Sequence, residues 1–298
     1  MKFGLQIPSF TCPGGPAAIG PTLARIVRTA DDVGFDSIWV MDHFFQIRSV
    51  GPVEDPMLEG WTTLGFLAAH SRRARLGLMV GGVHYRHPGL WIKAATTLDV
   101  LSGGRAWLGI GAAWNEEESR GLGFPFPPLA ERFEWLEDTL RMAHDMWHGE
   151  RGTEGAFEGR HVRATRLLNS PQALSRPRVP IMIGGGGEKK TLRLVALHGD
   201  ATNVFGDGPR IARKYAILRE HCEAVGRPYE EIERSTLQSI HLTADGGAGA
   251  LAPAQVVERF AELAHAGAQH IIFSLRDVHH VSKLELLGRE VFPHLRRL

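Results

Sequence analysis

Short runs of apolar residues alternate along the chain with longer stretches in which apolar residues recur every three or four positions. The short runs predict strands and the longer stretches predict amphipathic helices, because side chains alternate faces in a strand and repeat about every 3.6 residues in a helix. The predicted strands are 3–8, 37–41, 75–80, 106–110, 179–183, 201–205, 236–242 and 270–274. The predicted helices are 21–33, 60–71, 88–101, 129–147, 188–197, 211–224, 254–266 and 281–291.

Eight consecutive strand-helix units predict a (β/α)8 TIM barrel, an α/β fold, because right-handed crossovers between parallel strands close such a series into a ring. Residues 149–178 interrupt this rhythm before the fifth strand and are rich in Gly, Arg and Pro. Their few apolar residues are not enough for a separate core, so we interpret them as an insertion, either a lid or an edge hairpin. The chain 1–298 is thus predicted to be a single domain.

The composition is that of an ordinary globular protein, with 43% hydrophobic and 22% charged residues. The formal net charge of +1 creates no strong field, so we expect neither nucleic acid nor a membrane as a partner. Cys12 and Cys222 are too few for a disulfide framework and indicate a reducing compartment. The first residues lack the apolar stretch of a signal peptide, so a cytoplasmic location is expected.

The second predicted strand ends in Asp42 and His43, at the end of the barrel where this fold carries its catalytic groups. An imidazole can exchange a proton near neutral pH, so His43 is a candidate proton donor or acceptor. Asp42 could accept a hydrogen bond from a cofactor ring or from a neighbouring backbone group. Because adjacent residues point to opposite faces of a strand, the two side chains need not bond to each other.

The fifth predicted strand ends in four successive glycines, Gly184 to Gly187, which are followed by Glu188 and a helix. Glycines at this place let backbone N–H groups approach an anion at the positive end of the helix dipole. The order differs from that of a P-loop, because no Lys-Ser/Thr pair follows at the required offset. A tight turn without a ligand would also use glycines, but the run indicates a site for the phosphate of a cofactor or substrate.

Two further sets of polar residues, a group of histidines and a run of three glutamates, could bind a metal or act as acids, but each also has a purely structural interpretation. The residues that could hold a metal ion are His84 and His87, with Asp42, His43 and His241 as further ligands. A metal-dependent barrel hydrolase is expected to carry a His pair at the end of its first strand, which here reads Gln6-Ile7-Pro8, so we predict no metal site. Glu116, Glu117 and Glu118 are interpreted as the acidic first turn of a helix.

Several motifs along the chain occur together in one known family. They are Asp42-His43-Phe44, Pro56 to Glu59 before Trp61, Leu76 to Val80, Gly109 to Glu116, Gly123 to Pro128, Glu131-Arg132-Phe133, and Gly184 to Glu188. In this order they resemble the luciferase-like flavin oxidoreductases, especially proteins presumed to use the deazaflavin coenzyme F420. The resemblance covers nearly the whole chain.

The resemblance implies a place for the cofactor. The ring system would lie across the barrel mouth near His43, and the phosphate-bearing tail would run toward the glycines. The family often has a non-prolyl cis peptide at the end of strand three, which corresponds here to Met79-Val80 or an adjacent bond. The residues expected to bind the cofactor are Asp42, Val80, Gly81, Gly82, Gly111, Ala112, Ala113, Gly184, Gly185, Gly186, Gly187 and Glu188.

The sequence departs from one branch of the family. Sugar-phosphate dehydrogenases have a catalytic acid after the glycines of strand four, where this chain has Ala113 and Trp114. That substrate is therefore not implied, although Glu116 or Glu117 could supply an acid from further along. The luciferase branch proper matches less well, since nothing marks a pocket for a long-chain aldehyde.

These features lead to the hypothesis of an oxidoreductase that transfers a hydride between F420 and an organic substrate, with His43 giving or taking a proton. The alternatives are an FMN-dependent monooxygenase of the same fold, a metal-dependent hydrolase, and a cofactor-binding protein without catalysis. The expected partner is a small organic molecule, and the resemblance implies a homodimer.

Overall fold

The computed structural model describes residues 1–247 and 249–298. Within these residues, eight parallel strands pair in the order β3-β2-β1-β8-β7-β6-β5-β4, and a further pairing of β3 with β4 closes the ring. The strands are β1 (Lys2–Ile7), β2 (Ser37–Val40), β3 (Arg75–Leu78), β4 (Ala106–Gly111), β5 (Ile181–Gly184), β6 (Ala201–Phe205), β7 (Glu233–Ile240) and β8 (His270–Leu275). The predicted (β/α)8 barrel is confirmed.

The helices surround this ring. They are α1 (Pro16–Val33), α2 (Gly60–His70), α3 (Pro88–Leu101), α4 (Glu116–Gly121), α5 (Leu129–Met146), α6 (Thr191–His198), α7 (Gly208–Val225), α8 (Pro253–His265), α9 (Ser282–Glu290) and α10 (Phe292–Leu295). Among the described residues, no helix combines the length and apolar character that crossing a bilayer requires.

Several predicted boundaries move in the structure, among them the starts of α1 and β7. Helix α1 begins at Pro16 instead of residue 21, so Pro21 lies inside the helix. Proline is favoured in the first turn of a helix, and both Pro16 and Pro21 could have marked that turn. Strand β7 begins at Glu233 instead of residue 236. Its polar start is accommodated because Glu233 pairs with Lys2 (2.6 Å) and with His270 (2.7 Å) at the N-terminal end of the barrel.

Two tryptophans fill the inside of the barrel. Trp39 on β2 and Trp107 on β4 are buried and lie with their ring centroids 6.2 Å apart. Gly77 makes room for them, because a Cβ there would lie 2.5 Å from the Trp39 ring. At Gly109 a Cβ would lie only 1.8 Å from the carbonyl oxygen of Leu78, so only glycine allows β3 and β4 to approach as they do.

The insertion at 149–178 lies along the outside of the barrel. It contains a short antiparallel hairpin, in which Phe157 pairs with Ala164. Two buried aspartates fasten it to the outer helices. Asp138 on α5 accepts hydrogen bonds from two backbone N–H groups of the hairpin, at 2.8 and 3.1 Å. Asp99 on α3 accepts from the N–H groups of Leu174 and Ser175, at 2.7 and 2.8 Å.

The close approach at Gly109 gives a stability prediction. Replacing Gly109 by Ala should lower the free energy of unfolding by at least about 3 kcal/mol, because the added methyl group meets backbone instead of a movable side chain. Gly20 in α1 is a suitable control, since no atom lies within 4 Å of a Cβ placed there. Gly20→Ala should stabilise the protein by up to about 1 kcal/mol. Urea denaturation measures both, and equal stability of the two variants would contradict the prediction.

Candidate active site

A cavity of about 370 Å³ opens at the C-terminal ends of the strands. All but one of the residues predicted to form the site line this cavity. They are Asp42, His43, Val80, Gly81, Gly82, Gly111, Ala112, Ala113, Gly184, Gly185, Gly186 and Gly187. His43 and the glycine run therefore face one common space, as the closed ring of strands requires.

His43 lies just after β2 with its imidazole mostly enclosed, at 13% side-chain exposure. Its Nδ1 atom lies 2.5 Å from Oε1 of Glu118 on α4. The ring also packs edge-on against Trp114, with centroids 5.5 Å apart. Among the described residues no hydrogen bond to Nε2 is found, so this is the nitrogen that a ligand in the cavity can reach.

Glu118 is completely buried, although Glu116 and Glu117 beside it are exposed. Its carboxylate accepts hydrogen bonds from the Tyr85 hydroxyl (2.6 Å) and from the N–H groups of Phe44 (2.6 Å) and Phe45 (3.1 Å). Burial alone would raise the pKa of Glu118, but the hydrogen bonds from His43, Tyr85 and Phe44 outweigh it and lower the pKa. Glu118 is therefore ionised near neutral pH.

Asp42 is held by a different partner from His43. Both of its carboxylate oxygens accept hydrogen bonds from the Arg86 guanidinium, each at 2.8 Å, and Oδ2 also accepts from the Gly82 N–H group at 3.2 Å. Arg86 continues to Glu59 (2.5 Å) and stacks over the Trp91 ring at 4.7 Å. Burial lowers the pKa of Arg86, but the two carboxylates outweigh that effect and raise it, so the guanidinium stays charged.

The end of β3 has the backbone geometry that the family resemblance implied. The Met79–Val80 peptide bond is cis, and Met79 and Val80 both line the cavity. The chain then continues as Gly81–Gly82 beside β4. A Cβ on Gly82 would lie 2.6 Å from the Tyr85 ring, so this side of the cavity is formed by backbone.

The glycine run lines the cavity next to the end of β3, since a Cβ on Gly184 would lie 2.7 Å from the Val80 side chain. Gly185 has φ = +119°, a conformation that favours glycine. Helix α6 begins at Thr191, three residues later than the predicted start at residue 188, and Thr191 lines the cavity as well. Among the described residues we find no protein acceptor for the N–H groups of Gly186 and Gly187. Lys214 lies next to this turn, since a Cβ on Gly186 would be 3.6 Å from its Cε.

Glu188 is the predicted cofactor-binding residue that lies outside the cavity. Its carboxylate pairs with Lys214 at 2.8 Å and with Arg213 at 3.3 Å. Its backbone carbonyl accepts a hydrogen bond from His221 at 2.7 Å. The residue thus fixes the position of Lys214 beside the glycine run, and a contact of Glu188 with a cofactor stays a prediction.

The remaining acidic and histidine candidates have local partners. Glu116 pairs with Arg120, and Glu117 with Arg48, each at 2.6 Å and exposed, so neither supplies an acid to the cavity. His87 accepts a hydrogen bond from the Gly89 N–H group at the start of α3. Within residues 1–247 and 249–298, no three His, Cys, Asp or Glu side chains come together in a way that could hold a metal ion.

Sequence reasoning missed the buried partners Arg86, Tyr85 and Glu118. Arg86 and Tyr85 lie between the two histidines considered as metal ligands, and Glu118 belongs to a run interpreted as an exposed helix start. The run does begin α4, with Asn115 as its N-cap. A period of three to four residues places only one of three successive helical residues toward the protein, but the sequence does not reveal which one.

A comparison with known protein families places this site in context. The profile of the luciferase-like monooxygenase family matches residues 1–252. The chain belongs to this family. The resemblance noted in the sequence is thereby confirmed, and the barrel with its cis peptide and glycine run is the family's fold in this chain.

Individual relatives of the family differ in their reactions. The F420-dependent glucose-6-phosphate dehydrogenase of Nakamurella multipartita is 30% identical over 233 residues, which are 76% of this chain but only 65% of that protein. This chain therefore spans less than two thirds of that relative. The F420-dependent tetrahydromethanopterin reductase of Methanopyrus kandleri has a similar structure, with a TM-score of 0.79, 18% identity and coverage of 98% and 99% of the two chains. A monooxygenase from Streptomyces bottropensis has a TM-score of 0.80, 19% identity and 99% coverage of both chains.

The Asp42–Arg86 pair gives a prediction for the site. Arg86→Met should lower the free energy of unfolding at pH 7 by about 3 to 5 kcal/mol, because it leaves a buried carboxylate without its counter-charge. The exposed pair of Arg48 with Glu117 is the matched control, and Arg48→Met should change stability by about 1 kcal/mol or less. Denaturant unfolding measures both variants. A small effect of Arg86→Met would mean that Asp42 is satisfied without Arg86.

Proposed function

We propose that this chain is an F420-dependent oxidoreductase that transfers a hydride between the deazaflavin and an organic substrate. The observation that carries the proposal is the single cavity that is lined both by His43 and by the turn of Gly184 to Gly187. A proton-transfer group and an anion-binding turn in one cavity suit a redox ring with a phosphate-bearing tail. The relative named as an F420-dependent dehydrogenase supports the same cofactor.

The residues present fit such a cofactor at both ends. On the ring side, Gly81 and Gly82 form a wall of backbone without side chains, because a Cβ on Gly82 would meet the Tyr85 ring at 2.6 Å. On the phosphate side, the N–H groups of Gly186 and Gly187, the start of α6 and the Lys214 ammonium form a positive environment. These groups would hold the tail.

When bound, F420 supplies the hydride donor or acceptor, which the protein's own side chains lack. His43 would hold or release a proton at Nε2, on the reacting side of the cavity. Around the opening lie Trp114, Phe205 and Leu129, which are 64%, 53% and 53% exposed. An apolar or aromatic substrate would cover these side chains and exclude water from the reacting atoms.

A sugar phosphate is not part of the proposal. Ala113, at the position where the sugar-phosphate branch was expected to carry an acid, lines the cavity. Glu116 and Glu117 do not replace the acid, because both face solvent and pair with arginines. Glu118 and Asp42 are buried acids, but the oxygens of both are already engaged in hydrogen bonds.

An FMN-dependent monooxygenase is the second candidate, because the family as a whole carries the monooxygenase description. The cavity would accept an FMN ring by the same backbone wall. The choice between the two rests on cofactor affinity, which is measurable directly.

Titration of the purified protein with F420 and with FMN, followed by fluorescence, tests the cofactor. We expect saturable binding of F420 at much lower concentration than of FMN. Tighter binding of FMN than of F420 would replace the proposal by the FMN candidate, and the absence of binding of both cofactors would exclude both candidates.

His43→Ala should leave the Kd for F420 within a few-fold of the wild-type value. Turnover of the organic substrate should fall by about 10²- to 10⁴-fold, the usual contribution of a positioned acid-base group. Undiminished turnover would exclude His43 from the reaction.

We further propose a homodimer formed through α2 and α3. Both helices expose large apolar side chains: Phe66 on α2 is 37% exposed, and Leu90 and Leu101 on α3 are 57% and 76% exposed. Leu90 and Leu101 are three helical turns apart and therefore lie on one stripe. Apolar side chains that share one exposed stripe mark a surface that another protein can cover.

The cytoplasmic location remains a prediction from the sequence.

Introducing charge on this stripe tests the dimer. The double variant Leu90→Glu and Leu101→Glu should reduce the molar mass in solution from about twice to once that of the chain, because burying two carboxylates in an apolar interface is unfavourable. Light scattering coupled to size-exclusion chromatography measures the mass. Leu298→Glu, at another exposed leucine, should leave the mass unchanged. A monomeric parent protein, or a charged variant that still dimerises, would reject this interface.

A further inference from the structure

The carboxylate of Glu118 is enclosed directly behind His43, on the side away from the cavity. Oε1 lies 2.5 Å from His43 Nδ1 and 2.6 Å from the Tyr85 hydroxyl. Oε2 accepts from the backbone N–H groups of Phe44 and Phe45. Each oxygen therefore has two donors, and the carboxylate has little capacity left to contact a substrate. Any effect of Glu118 on chemistry must pass through the side chains that it holds at the cavity, His43 and Tyr85, and His43 is the one with the proposed role in proton exchange.

The partners of Glu118 also determine where the proton of His43 lies. An ionised carboxylate only accepts hydrogen bonds, so a neutral His43 must carry its proton on Nδ1. The lone pair is then on Nε2, which faces the cavity. If Nε2 takes up a proton, the adjacent negative charge stabilises the imidazolium that results.

Two features keep Glu118 in this role. The Tyr85 hydroxyl stays a donor, because burial raises its pKa and the hydrogen bond to Glu118 raises it further. The N–H groups of Phe44 and Phe45 belong to the segment that follows His43 directly, so the same carboxylate fixes the backbone and the ring of this segment. The carboxylate thereby sets both the orientation of the imidazole and its tautomer.

Two other titratable groups nearby, Asp42 and His84, are already paired or neutral. Asp42 is neutralised by Arg86 on its own side of the strand end. His84, which donates to or accepts from Ser119, has its pKa lowered to about 4, with burial as the largest cause, so it is uncharged at neutral pH. Glu118 is thus the charge in direct contact with the His43 ring.

We propose that Glu118 is the positioning residue for His43: it holds the Nδ1–H tautomer and stabilises the protonated ring, without touching the substrate. The proposal rests on the proposed function only in making His43 the group that exchanges a proton during turnover. The Glu118–His43 arrangement itself is a property of the protein without cofactor. The pairing of Glu118 with His43 and the proposed function can therefore be tested independently.

The first experiment is ¹⁵N NMR of the imidazole nitrogens in the cofactor-free protein. The wild type should show the proton on Nδ1 of His43, and Glu118→Gln should populate the Nε2–H tautomer, because the amide can donate to Nδ1. Glu117→Gln is the matched control, since Glu117 is the exposed neighbour that pairs with Arg48, and it should leave the His43 signals unchanged. Circular dichroism verifies that each variant is folded. Unchanged His43 signals in folded Glu118→Gln would overturn the proposal, whatever cofactor the protein uses.

The second experiment uses the enzyme with F420. Glu118→Gln should lower kcat by about 10²-fold or more with little change in the KM for the organic substrate. The reason is that the lost interaction, between Glu118 and His43, acts on proton transfer and not on substrate binding. The pH profile of kcat/KM should change as well, because the negative charge in contact with the His43 ring is gone. Glu118→Asp should recover part of the rate, because it restores the charge at a longer distance.

The outcomes distinguish the positioning role of Glu118 from the proposed F420-dependent function. An altered His43 tautomer together with wild-type turnover and an unmoved pH profile would overturn the positioning role. An altered tautomer in a protein that binds no F420 would support the Glu118–His43 pairing and overturn the proposed function. If Glu118→Gln does not fold, Tyr85→Phe removes one donor from the same oxygen, and a rate and pH profile identical to those of the wild type would overturn the proposal.

Discussion

The parallel pairing of β3 with β4 is the contact on which the site depends. It closes the sheet, and in a closed ring every inward position on one strand is fixed relative to those on its neighbours. The pairing is possible because Gly109 has no side chain opposite the carbonyl of Leu78. Once the ring is closed, residues separated by more than a hundred positions, such as His43 and Gly185, must lie at the same end of the barrel.

The two buried carboxylates at that end of the barrel, Asp42 and Glu118, are stabilised by different kinds of partner. Asp42 pairs through both of its oxygens with Arg86, whose charge it shares with Glu59. Glu118 receives neutral donors and one imidazole, so its charge is matched only when His43 is protonated. The first arrangement supports the wall of the cavity. The second leaves an uncompensated negative charge beside a group that can gain a proton.

The sequence predicted those parts of the site that depend on position along a single strand. Asp42, His43 and the glycine run follow strands directly, so knowing the fold was enough to bring them together. Arg86 and Glu118 could not be found in this way, because they reach their partners across 44 and 75 residues of chain. The cis bond at Met79–Val80 was expected from the family resemblance alone, since no local pattern of side chains encodes it. The polar start of β7 was missed because Glu233 finds its partners on other strands.

The way in which the insertion is fastened has a consequence for how such a chain can diversify. Asp99 and Asp138 anchor residues 149–178 to the outer helices, and none of those residues borders the cavity. The opening is bordered instead by separate segments of the chain, with Trp114 after β4 and Phe205 at the end of β6. Exchanging either residue disturbs no anchoring hydrogen bond. The lining of the opening can therefore change during evolution one position at a time, while the scaffold that carries it is inherited intact.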